Sequence, residues 1–186
     1  MRKILLLLTS VMMVLGMAAC GGGGGGEEQS TNTPEAAVAG YLDAFKAVDQ
    51  AKLNEYVTED DVMYSEDTEG VNSEAQVVFG NISYEIKSVN AEEGSTTATV
   101  TTDVTNVDMT AVMQSMMTAA MTESGDVEAM DEEKSMEMLK QAIEDNKENK
   151  ITKTVDIEVT KVDDQWKVKS TDELLTALSG GIAPTF

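Results

Sequence analysis

Apolar residues recur along this chain with a period that shifts between helical and strand-like, and the shifts mark its elements. Val38, Tyr41, Leu42, Phe45 and Val48 fall at helical spacing. Thr33 is placed to cap that helix, with Pro34 at its first position and Glu35 in its first turn. Asp49 caps a second short helix in which Leu53, Tyr56 and Val57 share a face, so the two helices form a corner. The polar stretch Thr58 to Glu74 reads as a solvated loop. Its acids (Glu59, Asp60, Asp61, Glu66, Asp67 and Glu69) miss the spacing of a calcium loop.

From Ala75 the period falls to two. Val77, Val78 and Phe79 lead into Ile82, Tyr84 and Ile86, which alternate with Ser83, Glu85 and Lys87. Asn90 to Gly94 is a turn signal. Thr96 to Val107 then makes a two-faced strand. Ala98, Val100 and Val104 lie on its dry side; Thr97, Thr99, Thr101, Asp103 and Thr105 lie on its wet side.

Asp108 caps a helix whose Met109, Val112, Met113, Met116, Met117, Ala120 and Met121 make one apolar stripe. Ser124-Gly125-Asp126 breaks it. A second helix from about Asp131 places Met136, Leu139, Ala142 and Ile143 together, with Lys140 and Glu144 outward. The pair is a helical hairpin inserted between strands, at about 108–149.

Ile151, Val155, Ile157 and Val159 alternate with polar residues, and Asp163-Asp164 supplies a two-residue turn that tolerates positive φ. That register sets Val159 opposite Val168, Glu158 opposite Lys169, and Trp166 opposite Lys161. Ser170 and Glu173 make a capping box for a last helix faced by Leu174, Leu175 and Leu178, which Gly180-Gly181 stops.

The N-terminus carries no such pattern. Arg2 and Lys3 precede an uncharged run from Ile4 to Ala19; at about 16 residues it is short of the ~20 that span a bilayer, so it reads as a signal peptide over residues 1–19. Met17-Ala18-Ala19-Cys20 resembles the lipobox of bacterial lipoproteins, with Met17 where leucine is usual. The resemblance implies that Cys20 is lipidated and becomes the first mature residue. Residues 20–33 are a glycine-rich tether of roughly 20 Å by random-coil scaling, and residues 34–186 are a single domain.

Composition narrows the chemistry. With 34 acidic against 13 basic residues the net charge is −21, which disfavours nucleic acid and anionic lipid surfaces and keeps the chain monomeric or weakly dimeric. There is no histidine, and Cys20 is the only cysteine, which removes His-based acid–base catalysis, the common nucleophile triads and the usual zinc sites. No metal or cofactor is expected. The methionine stripe reads as core packing, with an adaptable apolar groove or a Cu(I) site as alternatives.

The whole resembles the uncharacterised lipoproteins of Gram-positive bacteria whose domain is similar to nuclear transport factor 2. The carrying residues are Thr33 to Val38 with Tyr41-Leu42, Val162 to Val168, and Leu174 to Gly181. The resemblance implies an α+β, cystatin-like roll: a curved antiparallel sheet packed on N-terminal helices, around a hollow. Tyr41, Phe45, Tyr56, Tyr84 and Trp166 are the candidate lining.

The functional expectation is a non-enzymatic binding or interaction module. It would be anchored to the cell membrane through Cys20, face outside the cytoplasm, and take a small apolar ligand or an envelope protein. Two alternatives stand beside it. One is an isomerase or dehydratase of the kind this roll hosts, with Asp103 as base and Tyr41, Tyr56 or Tyr84 as donor. The other is an accessory lipoprotein of a transporter or envelope assembly, with Met113 and Met117 as the docking face.

Overall fold

The structure, a computed structural model, describes residues 32–58, 71–123 and 132–183, with backbone alone at 71–74, 123 and 132. The leader, Cys20 and the tether to residue 31 lie outside these residues, as do the acidic stretch 59–70, the Ser124-Gly125-Asp126 break and residues 184–186.

Helix α1 (Pro34–Ala47) begins where Thr33 Oγ1 accepts from the Ala36 N–H at 3.1 Å; Pro34, which has no N–H to satisfy, takes the first position. Val48, at φ 54°, turns the chain out of the helix and donates its N–H to the Ala44 and Phe45 carbonyls. Val38, Tyr41, Leu42 and Phe45 are all buried. Asp49 accepts from the Lys52 N–H at 3.1 Å and opens α2 (Gln50–Tyr56). The corner closes on Gly40, where a Cβ would stand 2.2 Å from the Tyr56 ring. The missing side chain is what lets that ring lie against α1.

The residues from Ala75 do not start a strand. Helix α3 (Val71–Phe79) takes them, together with the end of the stretch expected to be a solvated loop. Ala75, Val78 and Phe79 also fit one helical face, and packing decides between the two periods: Phe79 meets the Phe45 ring edge-on at 4.7 Å, while Val77 and Val78 join a second cluster. The helix stops at Gly80, whose N–H donates to the Gln76 carbonyl, and at Asn81, whose amide donates to the Val77 carbonyl.

Strands β1 (Ser83–Ala91), β2 (Thr97–Val107), β3 (Lys150–Val162) and β4 (Gln165–Val168) form one sheet in the order β1-β2-β3-β4, antiparallel throughout. The first turn comes later than expected, between Glu92 and Ser95, with Gly94 at φ 79°. On β1 the pairing jumps from Ile86–Thr102 to Ser88–Thr101, so Lys87 is an extra residue. This bulge sets Val89 opposite Val100 on the dry face; an unbroken alternation would have turned it to water.

Ala98, Val100 and Val104 face the helices as predicted, and Thr102 and Asn106 are buried beside them. Asn106 repays its burial by donating to the Leu178 carbonyl at 2.7 Å and the Val78 carbonyl at 3.4 Å, and by accepting from the Val107 N–H at 2.8 Å. One amide thus ties two helix ends to β2.

The last hairpin has the predicted register. Asp163 and Asp164 sit at φ 49° and 65°, Val159 pairs with Val168 and Lys161 with Trp166, and Lys169 Nζ lies 2.8 Å from Glu158. The cap of α6 (Asp172–Leu178) is one residue later than the predicted box. Thr171 Oγ1 accepts from the Leu174 N–H, which puts Glu173 at the second position, out of reach of a box, and Ser170 Oγ lies 3.3 Å from the Tyr41 hydroxyl instead.

Between β2 and β3 stand α4 (Met109–Glu123) and α5 (Glu132–Asp145), the inserted hairpin. Asp108 Oδ1 accepts from the Thr110 N–H at 2.9 Å, and the Met109 N–H donates to the Gly180 carbonyl at 3.1 Å. The architecture is therefore α+β. Its main core lies between the dry face of the sheet and α1 and α6; a smaller one, built on Val107, Val112, Ala142 and Ile143, lies under α4 and α5.

Candidate functional site

The five aromatic residues expected to line a hollow are brought together, but as packing. Tyr41 and Phe45 belong to the main core, their rings 5.9 Å apart, and Tyr56, Tyr84 and Trp166 pack against the same cluster. The Tyr84 hydroxyl donates to Asp43 Oδ1 at 3.0 Å and to the Ala39 carbonyl at 3.4 Å. Burial, and then the Asp43 carboxylate it donates to, push its pKa up to about 12. An open hollow of about 540 Å³ lies elsewhere, at the sheet end between the β1–β2 turn and β3, lined by Asn90, Glu92, Thr97, Thr99, Glu158 and Thr160 among others. None of the five reaches it.

Asp103 is on the other side of the sheet from the tyrosines. It pairs with Glu85 on β1, whereas Tyr84 pairs with Val104 on the dry face. Thr154 donates to it at 2.6 Å and Lys87 Nζ lies 3.1 Å away. Those two contacts, the Thr154 bond first, hold its carboxyl below the usual carboxylate range. Asp103 is a paired carboxylate on a polar face, where Thr101 also bonds Asp156 at 2.7 Å and Thr105 meets Thr152 at 2.7 Å. A base and a tyrosine donor do not converge there.

The methionine stripe of α4 divides into two lines. Val112 and Ala120 are buried, and Met109 and Met116 are half-buried against the second core. Met113, Met117 and Met121, one turn apart, are 57%, 60% and 68% exposed. The expectation of a wholly core-facing stripe is corrected by this division, and the reason is geometric. Seven apolar positions make a band wider than the seam that a single neighbouring helix can cover. Helix α5 presents Leu139, Ala142 and Ile143, and the buried amide of Asn146 donates to Ser115 Oγ at 2.8 Å, fixing which side of α4 faces inward. The line of Met113, Met117 and Met121 is left outside.

That outer face has a distinct chemistry. Helix α4 carries no ionisable side chain from Met109 to Thr122, in a chain with 34 acidic residues. Among the described residues the exposed large hydrophobic side chains are these three methionines and Val162. Thioethers are soft and polarisable, and their unbranched arms repack freely. Among the described residues no group of three or more His, Cys, Asp or Glu is placed to hold a metal ion, and no helix is long and apolar enough to cross a membrane. Met113 and Met117 were visible in the sequence as a candidate face; Met121 completes it. Comparison with protein-family models, curated proteins and solved structures finds no match for this chain.

Proposed function

We propose that this chain is a non-enzymatic binding module, anchored by lipid on Cys20 and displayed outside the cytoplasm, whose binding surface is the exposed methionine face of α4. The observation that carries this reading is the exposure of Met113, Met117 and Met121 along an uncharged helix of a strongly acidic protein. A soluble chain has no need to keep three large thioethers in water at one-turn spacing, and contiguous exposed apolar side chains mark contact surfaces. The location rests on the Met17 to Cys20 lipobox and the glycine tether. The fold is in keeping with a roll similar to nuclear transport factor 2, supported by an N-terminal helix corner packed on an antiparallel sheet; here its aromatic interior serves as core.

Native mass spectrometry of the chain released gently from membranes tests this, with M113E/M117E as the comparison. We expect a discrete bound species, ion, small molecule or polypeptide, on the wild type, lost in a variant whose circular dichroism is unchanged. The same species on both proteins, or none on either, would overturn the proposal.

A further inference from the structure

We infer that the ligand of this face is a soft monovalent metal ion, Cu(I) or Ag(I), held between neighbouring thioethers of α4; the inference rests on the binding-face reading above. Residues four apart on a helix carry their Cβ atoms about 6 Å apart on one side. Met113 and Met117 form one such pair and Met117 and Met121 a second, so Met117 is common to both. Each side chain has three rotatable bonds and stands in solvent, so two sulfurs can turn onto one ion with no change in the backbone.

The donor set selects the ion. Thioethers favour Cu(I) and its congener over calcium, magnesium or zinc, which look for carboxylate, imidazole or thiolate. The uncharged length of α4 presents no carboxylate that would draw a hard cation to the same place. The acidic body around it raises the local concentration of cations of every kind, and the soft donors sort among them.

The identity of the exposed side chains points the same way. A face required only to be apolar would be served by leucine, yet the three exposed positions are all methionine. The half-buried Met109 and Met116 flank the line and add two thioethers within the same helix. A protein partner seated on an adaptable apolar surface is the competing occupant, and leucine substitution separates the two: it keeps the area and removes the sulfur.

The full chain, purified in detergent with any free thiol blocked by N-ethylmaleimide, is titrated with silver nitrate in chloride-free buffer. Silver(I) stands in for Cu(I) without redox chemistry, and the methionine methyl resonances are followed by ¹H–¹³C NMR. We expect saturable shifts that are largest at Met113, Met117 and Met121, smaller at Met109 and Met116, and absent from methionines outside α4. In M113L/M117L/M121L, folded by circular dichroism, silver affinity should fall by about tenfold or more. Equal shifts at methionines throughout the chain, or undiminished affinity in the leucine variant, would overturn the metal assignment. The bound species of the native experiment then separates the two levels of the account. If it survives the leucine substitutions but not M113E/M117E, the face binds through apolar contact and the metal inference alone fails. If it survives both, the binding face fails with it.

Discussion

In α1, Val38, Tyr41, Leu42 and Phe45 recur at helical spacing and every one is buried. In α4 seven apolar residues recur at the same spacing, and Met113, Met117 and Met121 stay in water. The difference lies in the neighbours. Helix α1 packs on the sheet and on α2 and α3, so partners surround more than one side of it; among the described elements α4 packs chiefly on α5. Periodicity locates the apolar side of a helix, but how much of that side is dry depends on what arrives to cover it. An apolar stripe wider than its cover is therefore a better sign of a surface than its mere presence.

The comparison breaks most sharply under truncation. Leu42→Ala removes a fully buried side chain and should cost about 2–5 kcal/mol in urea unfolding, whereas Met117→Ala should cost less than about 0.5 kcal/mol. Equal losses would place Met117 in the core. The corner of α1 and α2 gives the next largest effect. By helix propensity Gly40→Ala should stabilise by up to about 1 kcal/mol, but the added Cβ meets the Tyr56 ring, so we expect a net loss of about 1–3 kcal/mol. Tyr56→Leu in the Gly40→Ala background should recover part of it; a stabilised single mutant would show that the corner is loosely packed.

The smallest effect is a pH dependence at the contact of α1 with β1, which α4, without an ionisable side chain from Met109 to Thr122, does not share. The Tyr84 hydroxyl fastens β1 to α1 through Asp43, and its pKa is raised above the ordinary tyrosine value of about 10 to about 12. A raised folded value means that this contribution is whole below pH ~10 and is lost as pH climbs toward ~12. Tyr84→Phe should be less stable at neutral pH and lose less of its stability over that alkaline window. Parallel alkaline curves for both proteins would dismiss the tie.

Much of this contrast was legible from residues alone, and the failures have physical causes. Caps at Thr33, Asp49 and Asp108 and the Asp163-Asp164 turn depend on local backbone chemistry, so they were found where predicted. Helix α3 was misread because Val77-Val78-Phe79 is β-branched and aromatic, a strand signal locally, while its fate is set by contacts with Phe45 and the second core. The bulge at Lys87 and the buried Asn106 depend on partners far along the chain. Ser170 lost the cap to Thr171 by one residue. For the candidate site, the stripe and its Met113 and Met117 were visible, but the split into a dry and a wet line was not: it follows from α5 being one helix wide. For the aromatic residues the sequence shows a cluster but not its use: Tyr41 and Phe45 are buried in the main core with Tyr56, Tyr84 and Trp166 packed against it, and size and periodicity do not tell a lining from a filling.

Methionine footprinting with dilute hydrogen peroxide reads the central claim position by position. In the purified chain, stripped of bound metal by a soft chelator, Met113, Met117 and Met121 should oxidise at rates close to free methionine, with Met109 and Met116 slower. Protection of Met113, Met117 and Met121 equal to that of Met109 and Met116 would return the whole stripe to the core and remove the binding face.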